Sequence, residues 1–236
     1  MPFERRNVLP RRRPEWPLPT RMGIDIVAVP EGAIAMRQEW NVRALAPLAA
    51  AAKDTGATIV VGSSVPKPVL NRVFFFPDGK VISYDKRHPL RPMETEIAGT
   101  APGLLGDGRA MAICKDMDFP SSVRADVQSG IKMMVVPASD FSRDDWIHAR
   151  IAILRGVENG FAVLRSAFNG LETVSDAQGR VLASANTSRW GMIALIADVP
   201  LGPGPTLYTR IGDIFAWICI MLSLLMGVAI FRIRSA

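Results

Sequence analysis

Residues 110–137, AMAICKDMDFPSSVRADVQSGIKMMVVP, decide the fold class. A short apolar run, Ala110–Ile113, reads as a strand that ends on Cys114. Ser121 then opens a short helix that closes at Gly130, and Lys132–Pro137 is again an apolar strand. Strand, helix and strand in fewer than thirty residues is the mark of an α/β fold rather than a bundle or an all-β sandwich. The same alternation extends outward. Upstream, Ile24–Val29 is a strand leading into Pro30 and Glu31, and Asn41–Asp54 is an alanine-rich helix whose ordered part begins near Pro47. Thr58–Gly62 is a strand, and Val69–Phe76 and Val81–Asp85 flank the hairpin signal Pro77-Asp78-Gly79-Lys80. Lys86–Arg109 has no clean period and reads as a loop. Downstream, Asp144 caps a helix to Gly160 with Ile147, Ile151, Leu154 and Val157 on one side. Phe161–Ala167, a strand near Thr173, Val181–Ala185 and Ile193–Val199 complete a mixed sheet covered by helices.

Composition agrees with a folded domain. The chain has 236 residues, 49% apolar and 21% charged, which excludes a disordered or collagen-like chain. Two cysteines, Cys114 and Cys219, form no disulfide framework, and neither they nor His88 and His148 have the spacing of a zinc site. No metal or other cofactor is expected. The net charge of +6 is concentrated: residues 1–22 hold six arginines and two glutamates, +4 of that total, leaving +2 for the rest. This proline-broken arm lacks the aromatic interleaving of a nucleic-acid site, so no nucleic-acid partner is expected.

The most apolar stretch is Ile214–Phe231, IFAWICIMLSLLMGVAIF, without one charge. As a helix it spans about 27 Å, close to the roughly 30 Å of a bilayer core. Trp217 near one end and Arg232 and Arg234 at the other suit interfacial anchoring. Residues 1–30 hold no apolar segment of the kind that exports a domain. Two topologies therefore stand open. The arginines after the span favour a cytoplasmic C-terminus and an extracytoplasmic domain, with further hydrophobic helices upstream of this chain. A complete chain would instead be tail-anchored with its domain in the cytoplasm. The resulting division is an arm over 1–22, an α/β domain over 23–199, a Pro/Gly linker over 200–213, a span over 214–231 and a basic tail over 232–236.

Glu31, Lys86 and Cys114 all stand at the ends of expected strands, the edge where α/β folds place their sites. Singly, each has an ordinary structural explanation: a loop carboxylate, a solvated lysine, a small buried hydrophobe. Together they make a covalent machine, in which a carboxylate takes the thiol proton, the thiolate attacks an acyl carbon and an ammonium stabilises the oxyanion. An adjacent ammonium also favours the thiolate.

The segments VPEGA (29–33), SYDKRHPLRP (83–92) and MAICKDMDFP (111–120) resemble the three signature blocks of the carbon–nitrogen hydrolase, or nitrilase, superfamily. The tail segments HARIAILRGVENGFAVLRSAFNG (148–170) and TLYTRIGDIFAW (206–217) carry the likeness onward, most closely to its apolipoprotein N-acyltransferase branch. The resemblance implies an αββα sandwich, with the arm standing where the family's first strand is expected, followed by one transmembrane helix. It implies Glu31 as general base, Lys86 as oxyanion stabiliser and Cys114 as nucleophile. Glu94 and Asp116 are implied as supporting acids that hold Lys86 and set protonation around the thiol, and the Lys115 backbone N–H as a second oxyanion donor. Implied substrates are an amide or phospholipid acyl donor, an amine acceptor such as a lipoprotein N-terminus, and membrane lipid around the span of a bacterial inner-membrane type protein. Hydrolysis and acyl transfer share the thioester and stay open, as does a non-catalytic module that keeps the fold for binding. Lys115 departs from the branch, which carries an aromatic residue there, and the loop RHPLRPMETEIAG departs from its lipid-facing motif.

Overall fold

The computed structural model describes residues 23–36, 41–141, 143–190 and 193–234, so the arm and the last two residues lie outside the described residues. Two sheets stack face to face. The first has the order β1 (Ile26–Ala35), β2 (Thr58–Pro66), β3 (Val69–Phe76), β4 (Ile82–Asp85). The second runs β10 (Val181–Asn186), β9 (Leu171–Ser175), β8 (Ala162–Phe168), β7 (Met133–Ser139), β6 (Arg109–Met111), β5 (Gly103–Leu104). β1 pairs parallel with β2, and β6, β7 and β8 are parallel; the remaining pairs are antiparallel.

Three cores hold four layers together. Val60, Val73 and Phe75 meet Met111, Ile113 and Val135 between the sheets. Ala52 of the helix Asn41–Thr55 packs on Val61, Phe74 and Phe76 outside the first sheet. Val123, Val127 and Ala152 of the helices Pro120–Val127 and Asp145–Asn159 cover Met134, Val136 and Val163 outside the second. Neighbours such as Val60 and Val61 thus enter different cores, because successive strand residues point to opposite faces. That is why TIVVG is apolar throughout rather than alternating. The αββα sandwich is the expected one.

Several local expectations change. The first helix starts at Asn41 and carries Pro47 inside it. Helix Pro120–Val127 has Phe119 at its N-cap and Pro120 in first place, with Ser121 inside the first turn. Asp144 holds the N-cap position of Asp145–Asn159, yet its side chain makes no capping bond. That helix buries Ala149, Ala152 and Gly156, whereas Ile147, Leu154 and Val157 are exposed. The small side chains let the helix approach the sheet closely, and the larger ones are left outside. Ile193–Val199 alternates half-buried and exposed residues but joins no strand ladder among the described residues.

The segment read as a linker is tied down. Gly202 N donates to Lys132 O (2.9 Å) and Gly204 N to Gly160 O (3.0 Å). In the short helix Leu207–Ile211, the Thr209 hydroxyl donates to Asn159 Oδ1 at 3.1 Å. Lys132 and Gly160 precede β7 and β8, so this segment is rooted at the opposite end of the sheet from Cys114 and Ser139. The helix Ile214–Arg234 follows, 21 residues long and with none of its apolar window buried.

Candidate active site

The two sheets contribute different chemistry to one edge. Glu31 lies in β1 between Val29 and Ile34, where the ladder to β2 shifts register. Gly62 of β2 makes the irregularity possible: a Cβ there would lie 2.3 Å from Pro30 O and 2.5 Å from Glu31 Cα. The carboxylate is 7% exposed. Its Oε1 accepts from Asn71 Nδ2 (2.5 Å) and Lys86 Nζ (2.8 Å), and its Oε2 accepts from the Ser139 backbone N–H (2.9 Å). Burial raises the Glu31 pKa, and Lys86 and Asn71 offset only part of that rise.

Lys86 follows β4 and is held by backbone bonds from its own N–H to Asn71 O (2.9 Å) and from Gly99 N to its carbonyl (2.8 Å). Only 1% of it is exposed, and its ammonium also reaches Glu94 Oε1 at 2.6 Å. Burial works to lower its pKa, but Glu31, Cys114 and Glu94 outweigh it and hold the group above the ordinary lysine range. A buried ammonium with two carboxylate partners is compensated where a lone one would not be.

Cys114 opens the 3-10 turn Cys114–Asp118 directly after the second sheet's strand β6 and Ile113. Its φ is +43°, a conformation rare outside glycine that recurs at reactive positions. The half-buried thiol donates to Ser139 O at 3.7 Å. Desolvation, with the Glu31 charge added, pushes its pKa up to about 12 against the opposing pull of Lys86. Ser139 is the residue whose backbone touches both the Glu31 carboxylate and the Cys114 thiol.

The supporting acids divide their work. Glu94 holds Lys86 and also accepts the Leu90 N–H on Oε2 (3.0 Å). Asp116 is fully buried and bonds around Lys86 rather than to its ammonium. It accepts from the N–H groups of Arg87 (3.1 Å), His88 (2.9 Å) and Ile113 (3.0 Å) and from the Tyr84 hydroxyl (2.7 Å). His88 Nδ1 is a further 3.0 Å contact. One carboxylate thus joins the loop carrying Lys86 to the loop carrying Cys114. The Lys115 side chain pairs with Asp118 at 2.9 Å. His148 stands 3.7 Å from Asp144 and 3.9 Å from Asp118, beyond hydrogen-bond distance of either carboxylate. Among the described residues no cluster of His, Cys, Asp and Glu could hold a metal ion.

Sequence reading missed Asn71, Tyr84 and the Ser139 peptide. Asn71 had a signal, a polar residue inside the apolar run VLNRVFFF; a backbone N–H has none.

The family model for carbon–nitrogen hydrolase matches residues 17–203. The apolipoprotein N-acyltransferase of Geobacter metallireducens is 27% identical over 177 residues, covering 70% of this chain and 34% of that protein. That of Haemophilus influenzae is 25% identical over 241 residues, covering 86% of this chain and 46% of that protein. The chain thus spans less than half the length of these curated relatives. An amidase from Nesterenkonia superposes with a TM-score of 0.63 at 22% identity, over 71% of this chain and 75% of that one, and so shares the fold. With the family model matched along most of its length and the same sandwich underneath, the chain belongs to the carbon–nitrogen hydrolase family.

Proposed function

We propose that the protein is a membrane-anchored acyl-transferring enzyme that works through a thioester on Cys114. The observation that carries this reading is the buried contact of Lys86 with Glu31 at 2.8 Å, with the Ser139 backbone bridging that carboxylate to the Cys114 thiol. Glu31 takes the Cys114 proton, and the sulfur attacks the carbonyl carbon of a phospholipid or amide donor. The oxyanion is stabilised by the Lys86 ammonium and the Lys115 backbone N–H. When the tetrahedral intermediate collapses, the donor's alcohol or amine leaves with the proton held on Glu31, and the thioester remains. An acceptor amine or a water then loses its proton to Glu31 and attacks the thioester, and the departing thiolate takes that proton back from Glu31.

The relatives' name, apolipoprotein N-acyltransferase, favours a lipoprotein amine as the acceptor, with hydrolysis as the same chemistry resolved by water. The 21-residue apolar helix supports anchoring in a bacterial inner membrane, and Arg232 and Arg234 beyond it favour an extracytoplasmic domain. No cofactor is required by this chemistry.

The test is intact mass after incubation of detergent-solubilised protein with phospholipid and with simple amides. An acyl adduct on the wild type that is absent from Cys114→Ala is expected. No adduct with any donor, and indistinguishable behaviour of Cys114→Ala, overturns the reading. Because the Glu31 pKa is raised and the base must be ionised, kcat/KM should fall on acidification with a midpoint above the ordinary 4.5 of glutamate.

A further inference from the structure

Ser139 is followed by a buried ion pair with no part in the chemistry above. The Asp140 carboxylate is fully buried, and its Oδ1 accepts from Arg165 Nη2 at 2.5 Å. Arg165, 2% exposed, also donates from Nη1 to Leu171 O at 2.8 Å. The Asp140 backbone is held by its N–H to Phe168 O (3.0 Å) and by Asn169 Nδ2 on its carbonyl (3.3 Å). Gly170 closes the turn between β8 and β9 against the carboxylate, since a Cβ there would lie 2.1 Å from Asp140 Oδ2. Buried pairs are a poor source of net stability, because apolar replacements often do as well. What this pair adjoins is the Ser139 backbone, whose N–H orients Glu31 and whose carbonyl receives the Cys114 thiol.

We propose that Arg165 and Asp140 are a positioning pair for the nucleophile, fixing the Ser139 backbone and setting balanced opposite charges beside Cys114. This rests on Cys114 being the reacting thiol. Four charged groups act on that thiol: Glu31 from β1, Lys86 from beyond β4, Asp140 from beyond β7 and Arg165 from β8. The two carboxylates oppose the thiolate and the two cations favour it. A pair that served packing alone would loosen the site in the same sense whichever member was changed. A pair that balances charge must give opposite responses.

The experiment measures the rate of Cys114 alkylation by iodoacetamide at pH 8, by intact mass, on the full chain in detergent with Cys219→Ser as background. Asp140→Asn should react about threefold faster and Arg165→Gln about threefold slower, a shift of about one pKa unit damped by the lower nucleophilicity of a more acidic thiol. The double variant should return to within about twofold of the parent, because the two effects share one partner. Single variants that move in the same direction, or that both leave the rate unchanged, overturn the proposal. Where Arg165→Gln fails to fold by circular dichroism, Asp140→Asn and the double variant decide, and an Asp140→Asn rate at or below the parent's overturns it. The readout needs no substrate, so a chain that never forms a thioester still reports on the pair. A failure here leaves the proposed chemistry standing.

Discussion

Lys86 and the helix Ile214–Arg234 break the usual partition of residue types in opposite directions. Lys86 is a charge with 1% exposure, while Phe215, Trp217, Leu224 and Phe231 are large apolar groups left 66–76% exposed. Each departure has a different remedy. The buried ammonium is matched by two carboxylates within 2.8 Å, so its compensation lies inside the fold. None of the helix's apolar window is buried among the described residues, and a lipid surround is the environment that suits such a surface. A buried charge reports on function through its neighbours, whereas an exposed apolar helix reports on it through solvent.

The widest break is expected in the helix. Leu222→Arg with Leu225→Arg places two charges mid-span, at about 2.5–3.5 kcal/mol each for insertion. The double variant should move from the carbonate-resistant membrane pellet to the supernatant while the domain melts at the parent's temperature. A lowered melting temperature would show instead that the helix packs into the fold. Next is Lys86→Met, which leaves Glu31 and Glu94 without their shared cation. It should abolish the acyl adduct and lower stability by about 3–5 kcal/mol in denaturant titrations. Lys86→Met combined with Glu31→Gln should recover part of that stability and none of the adduct.

Asp116→Asn tests the carboxylate that joins the two loops. An amide keeps one acceptor oxygen where Asp116 uses two, so about 2–3 kcal/mol of stability should be lost. The fall should appear in kcat more than in KM, since no substrate contact is removed. The smallest effect belongs to an open ion pair. Asp107, 45% exposed, bonds Arg109, and Asp107→Asn should change the denaturant midpoint by no more than about 1 kcal/mol equivalent. A larger loss would erase the contrast between buried and open pairs.

Much of this molecule was legible before its structure. The strands around Glu31, Lys86 and Cys114 and the apolar run from Ile214 stood in the sequence, because strand period, turn residues and helix length are local properties. The places where sequence reading failed are places where packing overrode local pattern. The stripe of Ile147, Leu154 and Val157 faces outward because Ala149, Ala152 and Gly156 bring the helix closer to the sheet than large side chains allow. Ile193–Val199 has strand character without a ladder to join among the described residues. Pro47 sits within a helix that the sequence alone places it at the head of.

By itself the sequence determined the elements, the three candidate site residues and the uncharged run of the helix, all carried by neighbours in the chain. Only the tertiary structure decided that Asn71 and the Ser139 peptide hold Glu31, that Glu94 rather than Asp116 reaches Lys86, and that Arg165 and Asp140 lie buried beyond Ser139. These contacts join residues between 8 and 108 positions apart. Their strength depends on distance and on exclusion of water, and neither quantity exists until the two sheets have closed on each other.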